Sequence, residues 1–582
     1  MLTNGFELVY NELNFKRRGV LKMLNHFEII RERYENSIYG FVDLIDRDPS
    51  HDTYGTIPDK WNPLYEAKRF SWVTQTCATG YYLKGAKCYR DQKLMEAAYI
   101  SLEGMERYIH EDGSVDLRET NFHDPTNCAF IVRDSLGPIS EIMALRSQHT
   151  ELEDKVFEKL VSILKRMAYA METLGFHTPN HRWIICSALS YIYNITKDDA
   201  ALETMRKFFW EGIDCDEYGE YTERSTGTYN QICDMSFLQL TQTTKDRKYL
   251  EYASRNMKLM RSFYEPDNTI CTLNSMRQDR GRSPDVATYY NVYLPLAIFT
   301  KDPEFAYYAD RIFKNSLADE SKNDGARRSI NAIATYWFIV NEDWEEEMQS
   351  IPSYLPERDL DIFMPKSGTA RIVRPGKTLT VLRTTSPDFL KFQFGTHSVC
   401  ARFGGSFFGS PHAQFRPKKM EKTENGFRLI ANEEAGYRSQ LDAPPETSEW
   451  RLMDHSKRHI INIQHFDIVA DVTPTEKGFV LDMDYSGADN IPTKLEFLLE
   501  PDCKVILDQV EFISHPGDYV YLKNGSAVIR YRNGKAIKID GGAYAHFYGE
   551  NMRGVEPVPG SAFTLALTGS TPGKMHVEIT EI

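Results

Sequence analysis

Thr196-Lys197-Asp198, Thr244-Lys245-Asp246 and Thr300-Lys301-Asp302 are the same three residues in the same order, spaced 48 and then 56 residues apart. Each triplet separates two stretches in which apolar residues recur every three or four positions, the mark of an amphipathic helix. An interval of roughly fifty residues matches one antiparallel helix pair with its turns. The repeat therefore predicts a stack of helical hairpins. Loops alternate ends in such a stack. The plain Thr-Lys-Asp turns should share one end, and the longer connections 175–181, 213–227 and 265–285 should share the other.

Outward from the repeat, helical spacing covers 64–82, 92–109, 153–174, 182–195, 199–212, 228–242, 247–264, 286–299, 303–316 and 327–340, with weaker candidates at 8–36 and 127–146. Beyond about residue 366 the period changes. Arg371-Ile-Val-Arg-Pro-Gly-Lys-Thr-Leu-Thr-Val-Leu-Arg383 reads as two alternating runs around Pro375-Gly376, a hairpin. Similar short runs follow at 388–395, 427–431, 459–471, 478–485, 494–500, 518–523, 526–531, 535–539 and 562–567. Many short strands between Gly, Pro and Asn turns indicate an antiparallel β-sandwich. The predicted organisation is a helical body over 1–345, a linker over 346–365 within the acidic, proline-bearing stretch Glu342–Pro365, and a sandwich over 366–582.

Composition narrows the class. A chain of 582 residues exceeds one ordinary core, so two or three domains are expected. No run of about 18 apolar residues exists, so no helix is expected to span a membrane. A net charge of −14 argues against general affinity for nucleic acid or an anionic membrane, while a local arginine cluster could still receive an anionic substrate. Aromatics make up 12%, and their faces suit sugar rings as well as cores. The nine cysteines include no CxxC pair, which predicts reduced thiols rather than a disulfide framework or a zinc site. The first residues lack a charged stretch followed by an apolar run. This predicts a cytoplasmic protein, or a secreted or periplasmic one whose leader has been removed.

Four polar stretches interrupt the helical half: Asn121-Phe-His123-Asp124-Pro-Thr-Asn127, Phe176-His177-Thr-Pro-Asn180-His181-Arg182-Trp183, Gly219-Glu220-Tyr221-Thr-Glu223-Arg224-Ser-Thr-Gly-Thr-Tyr229-Asn230, and Asn274-Ser-Met-Arg277-Gln278-Asp279-Arg280 followed by Tyr289-Tyr290. Pro179 suits the first turn of a helix, placing Asn180, His181 and Arg182 at an N-terminus that favours an anion. Each residue also has a structural reading: a histidine as hydrogen-bond partner, Glu223-Arg224 as an ion pair, Tyr289-Tyr290 as packing. Their shared position in loops expected at one end favours a site. Abstracting the proton beside a uronate carboxylate needs a cation or amide to stabilise the enolate, a base, and an acid for the leaving oxygen. Asn180, His181, Tyr229, Arg277 and Tyr290 supply those types. Hydrolysis would need two carboxyl groups across the bond, and Glu220, Glu223 and Asp279 keep that alternative open. A non-catalytic glycan-binding protein is a third reading.

In the sandwich, Arg402-Phe-Gly-Gly-Ser406-Phe-Phe-Gly409-Ser-Pro-His412-Ala-Gln414-Phe415 is glycine-rich, and His412 is a candidate substrate contact. His455, His459 and His465 read as structural.

A helical toroid followed by an antiparallel sandwich, together with the Asn180-His181 pair, resembles the heparinase II/III-like and alginate-lyase-like polysaccharide lyases. The Gly219-Glu-Tyr-Thr-Glu-Arg-Ser and Arg277-Gln-Asp-Arg280 stretches are similar to those of a bacterial subgroup of heparinase II/III-like proteins. The resemblance implies an (α/α) toroid, of six hairpins or incomplete, and a carbon–oxygen lyase acting on a uronate glycan. It implies carboxylate neutralisation by Asn180 and His181 as base; Arg277 or Arg280 is expected to help hold the carboxylate, and Tyr229 or Tyr290, ahead of Tyr221 or Tyr289, to act as acid. His123, Arg182, Trp183, Tyr221, Glu223, Arg224, Asn230, Gln278 and His412 complete the expected substrate contacts. Pro411-His412-Ala413-Gln414 departs from the His-Ala-His pattern of the heparinase-type β domain, so no metal ligands are assigned. The expected partner is an anionic oligosaccharide or polysaccharide, with no cofactor. A structural divalent metal and a homo-oligomer stay open.

Overall fold

The computed structural model describes residues 21–317, 331–354, 359–383, 386–508, 510–542 and 552–582. The chain divides into two compact units, one helical and one of β-sheet, with the division falling at residues 356 and 357. The segment Ser262–Asn274 also belongs to the β unit, although it lies between two parts of the helical one.

In the helical unit, the three Thr-Lys-Asp turns have one structure. The threonine hydroxyl bonds back to the carbonyl four residues earlier: Thr196 to Ile192 at 2.9 Å, Thr244 to Leu240 at 2.6 Å, Thr300 to Leu296 at 2.7 Å. Each lysine ends its helix in the left-handed region, with φ of 55°, 59° and 56° for Lys197, Lys245 and Lys301. Each aspartate side chain then accepts the N–H two residues on: Ala200 at 3.0 Å, Lys248 at 3.0 Å, Glu304 at 2.9 Å. Such an acceptor satisfies a donor that the next helix start leaves unpaired. The helices so joined are Pro179–Thr196 with Asp199–Trp210, Tyr229–Thr244 with Tyr249–Met260, and Tyr290–Thr300 with Pro303–Ile312. Ala67–Tyr82, Gln92–Glu106 and Ala332–Val340 fall within the expected spans, and Glu151–Thr173 begins two residues before its own. The 127–146 candidate is Pro125–Ile131 and Gly137–Ala144, joined by a π-helical turn at Val132–Leu136.

Several expectations are corrected. The N-terminal helix is His26–Val42 rather than 8–36, and residues 1–20 of that span lie outside the described residues. The expected linker 346–365 holds most of the helix Trp344–Ser350 and the strand Pro352–Ser353, which pairs with Leu21–Lys22. Trp344 is buried and stacks on Trp337 with centroids 5.4 Å apart, so apolar packing orders a stretch that its acidic residues had marked as loop.

The β unit is two sheets around one core. The nine-stranded sheet runs, in spatial order, Lys419–Lys422, Phe427–Arg438, Ile460–Thr475, Gly478–Gly487, Gly573–Glu581, Ala536–Asp540, Ser526–Arg530, Lys504–Ile506 and Glu511–Ile513. The eight-stranded sheet runs Tyr519–Tyr521, Phe563–Ser570, Pro492–Leu499, His397–Gly405, Leu390–Phe394, Lys377–Leu382, Thr369–Arg374 and Leu360–Met364. Phe392, Phe403 and Phe497 of the second sheet join Leu429, Ile468 and Leu481 of the first in one buried cluster. Pairing is antiparallel except between Tyr519–Tyr521 and Phe563–Ser570, which run parallel. Arg402–Gly405, read from the sequence only as part of a glycine-rich stretch, ends the central strand His397–Gly405.

A buried ion pair fixes Ser262–Asn274 in this unit. The Arg371 guanidinium lies 3.4 Å from Glu265 and donates to the Ser262 carbonyl at 2.8 Å. Lys391 approaches the same carboxylate at 3.6 Å, and Thr378 donates to it. Burial alone would raise the Glu265 pKa; the cations and the hydroxyl overcome it and hold it below the ordinary carboxylate value. Removing one partner of such a pair strands a charge in the interior. Arg371→Met is expected to lower unfolding free energy by about 3–5 kcal/mol. Arg371→Lys should lose less; chemical denaturation of both variants measures the difference.

Candidate functional site

The helix Pro179–Thr196 begins without a side-chain cap of its own. Its missing acceptor comes from Glu223, 43 residues away. Glu223 Oε2 accepts the Asn180 backbone N–H at 3.2 Å and the Asn180 side-chain amide at 2.7 Å. Glu223 Oε1 lies 3.2 Å from an Arg277 guanidinium nitrogen. The Glu223 carbonyl accepts the Met276 N–H at 3.1 Å. One residue thus ties together three of the four polar stretches. A carboxylate at a helix N-terminus meets the positive end of the helix dipole, which favours its charged form. Burial dominates nonetheless. Glu223 is 6% exposed, and desolvation raises its pKa against the opposing pull of Asn180 and Arg277.

Asp279 is the second tie. It accepts the Gly227 N–H at 2.9 Å and the Ser275 hydroxyl at 2.5 Å. Ser275 Oγ in turn accepts the Arg277 N–H at 3.1 Å. These bonds aim the Arg277 side chain across the Tyr229 ring, with 4.9 Å from guanidinium carbon to ring centroid. Gln278 donates to the Tyr229 hydroxyl. Tyr229 and Arg277 are both half-buried.

The fourth stretch reaches the site through His181. Its Nδ1 lies 3.2 Å from Thr126 Oγ1 and 3.4 Å from the His177 backbone nitrogen. Among the described residues no hydrogen bond reaches its Nε2. Desolvation lowers the His181 pKa to about 4; Asp124 opposes the shift, and His177 and Arg277 add to it. The imidazole is therefore neutral at physiological pH.

The four stretches converge, but not every residue in them faces outward. Tyr290, a candidate acid, is 2% exposed, and its hydroxyl meets His26 Nδ1 at 3.1 Å inside the core. It has no opening to a substrate. Trp183 is fully buried and donates to Asp214 at 2.8 Å. Tyr221 is enclosed against Asp234, and Asn230 against Met260. Arg182 pairs with Glu211 and Asp214, both at 3.1 Å. Arg280 donates to the Ser275 carbonyl at 2.6 Å, and Arg224 lies against Met276. Asn180 itself is 1% exposed, and its amide hydrogens go to Glu223 and Thr178. In this structure it is a loop anchor, and the anion at its helix N-terminus is the protein's own. His123 belongs to a neighbouring hairpin, where it stacks on His110 at 3.9 Å and pairs with Asp112 at 2.8 Å. His412 lies in the β unit, paired with Glu433 at 2.9 Å. Among the described residues no three or more His, Cys, Asp or Glu side chains are grouped to hold a metal ion.

No family model matches the chain, and no curated protein matches its sequence. Solved structures do. A Paenibacillus xanthan lyase aligns over 97% of this chain and 58% of its own, at 12% identity and a TM-score of 0.53. The chain therefore spans under two thirds of that enzyme's length. Heparinase III aligns over 97% of this chain and 87% of its own, at 12% identity and 0.53. A Streptomyces coelicolor A3 chondroitin AC lyase aligns over 95% and 79%, at 9% identity and 0.50. The likeness establishes the fold. It is a helical (α/α) toroid followed by a β domain, as the resemblance in the sequence implied.

The raised pKa of Glu223 has a definite sign. The native state holds its proton more tightly than the unfolded chain does, so its contribution to stability falls as pH rises above the ordinary 4.5. The stability of wild type relative to Glu223→Gln should therefore decline over that range. A difference that is flat or rises with pH, from melts at a series of pH values, would contradict the assignment.

Proposed function

We propose that the chain is a lyase that cleaves a uronate-containing glycan by β-elimination, leaving a 4,5-unsaturated uronate at the new non-reducing end. One observation carries this reading. Where the loops converge, the carboxylates are buried and engaged by the protein, while the Arg277 guanidinium, the neutral His181 imidazole and the Tyr229 phenol are only half-buried. That is the set an elimination uses. Arg277 pairs with the substrate carboxylate and stabilises the enolate as charge builds there. His181 Nε2 takes the C5 proton. The electron pair becomes the C4–C5 double bond as the C4–O bond breaks, and the Tyr229 hydroxyl protonates the departing oxygen.

Xanthan lyase, heparinase III and chondroitin AC lyase share the fold, and their names agree with this assignment. Hydrolysis would ask two carboxyl groups to flank the scissile bond. Glu223 and Asp279 instead hold backbone N–H groups and Arg277, and Glu220 is buried. The reading places an anionic oligosaccharide or polysaccharide in the site and uses no cofactor.

A panel of uronate oligosaccharides tests it directly. Lyase action creates a conjugated double bond that absorbs in the ultraviolet. New reducing ends without that absorbance would mean hydrolysis, and binding without either would mean a non-catalytic module. On the lyase reading, His181→Ala and Tyr229→Phe each lower kcat by about 10²–10⁴-fold with the fold intact. Turnover close to wild type in His181→Ala removes His181 from the mechanism.

The pH profile supplies a separate check. Since His181 titrates near 4, its neutral form persists well below the ordinary histidine value of 6.5. The acid limb of kcat/KM should fall near pH 4. A limb at 6.5 or above would point to another group.

A further inference from the structure

Lys68 stands two ring contacts from the proposed base. Its Nζ lies 5.1 Å from the centroid of the Phe130 ring, and that ring meets His181 edge-on with centroids 6.4 Å apart. Lys68 and Arg69 lie in the first turn of the helix Ala67–Tyr82, and the loop before it carries Lys60 and Trp61. Arg69 lies over the Tyr65 ring at 5.1 Å, and Lys60 over the Trp61 ring at 5.4 Å. The turn of the hairpin that holds His123 adds Arg118. Its guanidinium donates to the Tyr65 carbonyl at 3.1 Å and its N–H to Glu66 at 3.2 Å, which ties the hairpin to the loop. That hairpin runs on through Asp124 into the helix whose Thr126 touches His181. All of these residues belong to the helical unit.

Two features set this surface apart. Lys60, Lys68, Arg69 and Arg118 pair with no carboxylate among the described residues. Cations elsewhere in the same unit do pair: Lys84 with Glu342, Lys87 with Glu35, Arg90 with Glu153. Carboxylates are plentiful in a chain of net charge −14, so these four cations leave a local positive field against the overall sign. Helix stability does not account for Lys68 and Arg69, because the positive end of the helix dipole opposes them. The second feature is Trp61, which is 87% exposed beside them. A large apolar ring left in water next to a site marks a surface that is covered when a ligand binds. We propose that Trp61, Lys60, Lys68, Arg69 and Arg118 form a second subsite, which binds an anionic sugar of the glycan away from the bond that is cleaved. The aromatic face carries the sugar ring, and the cations take its carboxylate or sulfate. The substrate is then a glycan charged on more than one residue.

This inference rests on the glycan reading above, and the experiment separates the two by measuring binding apart from turnover. The parent is the full-length chain carrying His181→Ala, so that probes are not consumed. The probes are three oligosaccharides of equal length: heparosan with carboxylates alone, heparin with carboxylates and sulfates, and a neutral cello-oligosaccharide. Calorimetry at several salt concentrations should show binding of an anionic probe and none of the neutral one. Binding of heparosan assigns the cations to carboxylates; binding of heparin alone assigns them to sulfates. Adding Lys68→Gln and Arg69→Gln together should weaken that binding at least about tenfold and flatten the slope of log Kd against log salt by about two. Trp61→Ala should weaken it as well, and a ring so exposed is not needed for folding. Lys84→Gln with Lys155→Gln removes the same charge from cations that already have carboxylate partners, and should leave the affinity within about twofold. The proposal is overturned if neither anionic probe binds, if the neutral probe binds equally, if Lys68→Gln/Arg69→Gln or Trp61→Ala leaves the affinity unchanged, or if the control pair loses as much. Binding through these residues, with no ultraviolet absorbance gained when the same probes meet the wild-type chain, sinks the lyase reading alone and leaves the subsite standing.

Discussion

The Glu223 carboxylate is the interaction on which the site depends. It caps a helix that has no cap of its own, receives an asparagine side chain, and balances an arginine, all from one buried position. Without it the stretches around 180, 223 and 277 would lose the one side chain that all three share. Asp279 repeats the device on a smaller scale by joining Gly227 to Ser275. The acidic residues near the site thus act as internal ties, and the exposed chemistry falls to the groups they orient. Charged groups are costly to bury, and here that cost is offset by bonds to backbone N–H groups and a guanidinium.

Local signals were the legible part. The Thr-Lys-Asp turn is a self-contained unit whose hydroxyl, left-handed lysine and capping aspartate lie within three residues, so its repetition could be read directly. The change of hydrophobic period near residue 366 was equally plain. Strands such as Lys504–Ile506 and Glu511–Ile513 escaped because three residues are too few to show alternation. His397–Gly405 escaped because its last residues are glycines, which add no side chain to an alternating pattern.

The site was legible as a set of stretches but not residue by residue. That the segments around 180, 225 and 278 meet followed from the alternation of loop ends; that the segment around 125 joins them did not. Which side chains face outward did not, because burial depends on partners far along the chain. Tyr229 and Tyr290 look alike in the sequence, yet only Tyr290 is sealed against His26. Asn180 looked like an anion receptor, and its anion proved to be Glu223. Thr126 has no local mark at all, since its contact is with a ring 55 residues away.

The route of the chain has a bearing on dissection. The polypeptide leaves the helical unit at Ser262, returns at Ser275, and leaves again after Pro356. A cut in the stretch between the two large segments would therefore not yield two self-sufficient pieces. The N-terminal fragment would keep Glu265 while its cationic partners Arg371 and Lys391 departed with the other half. Two architectures this different in kind are, in that sense, a single covalent weave.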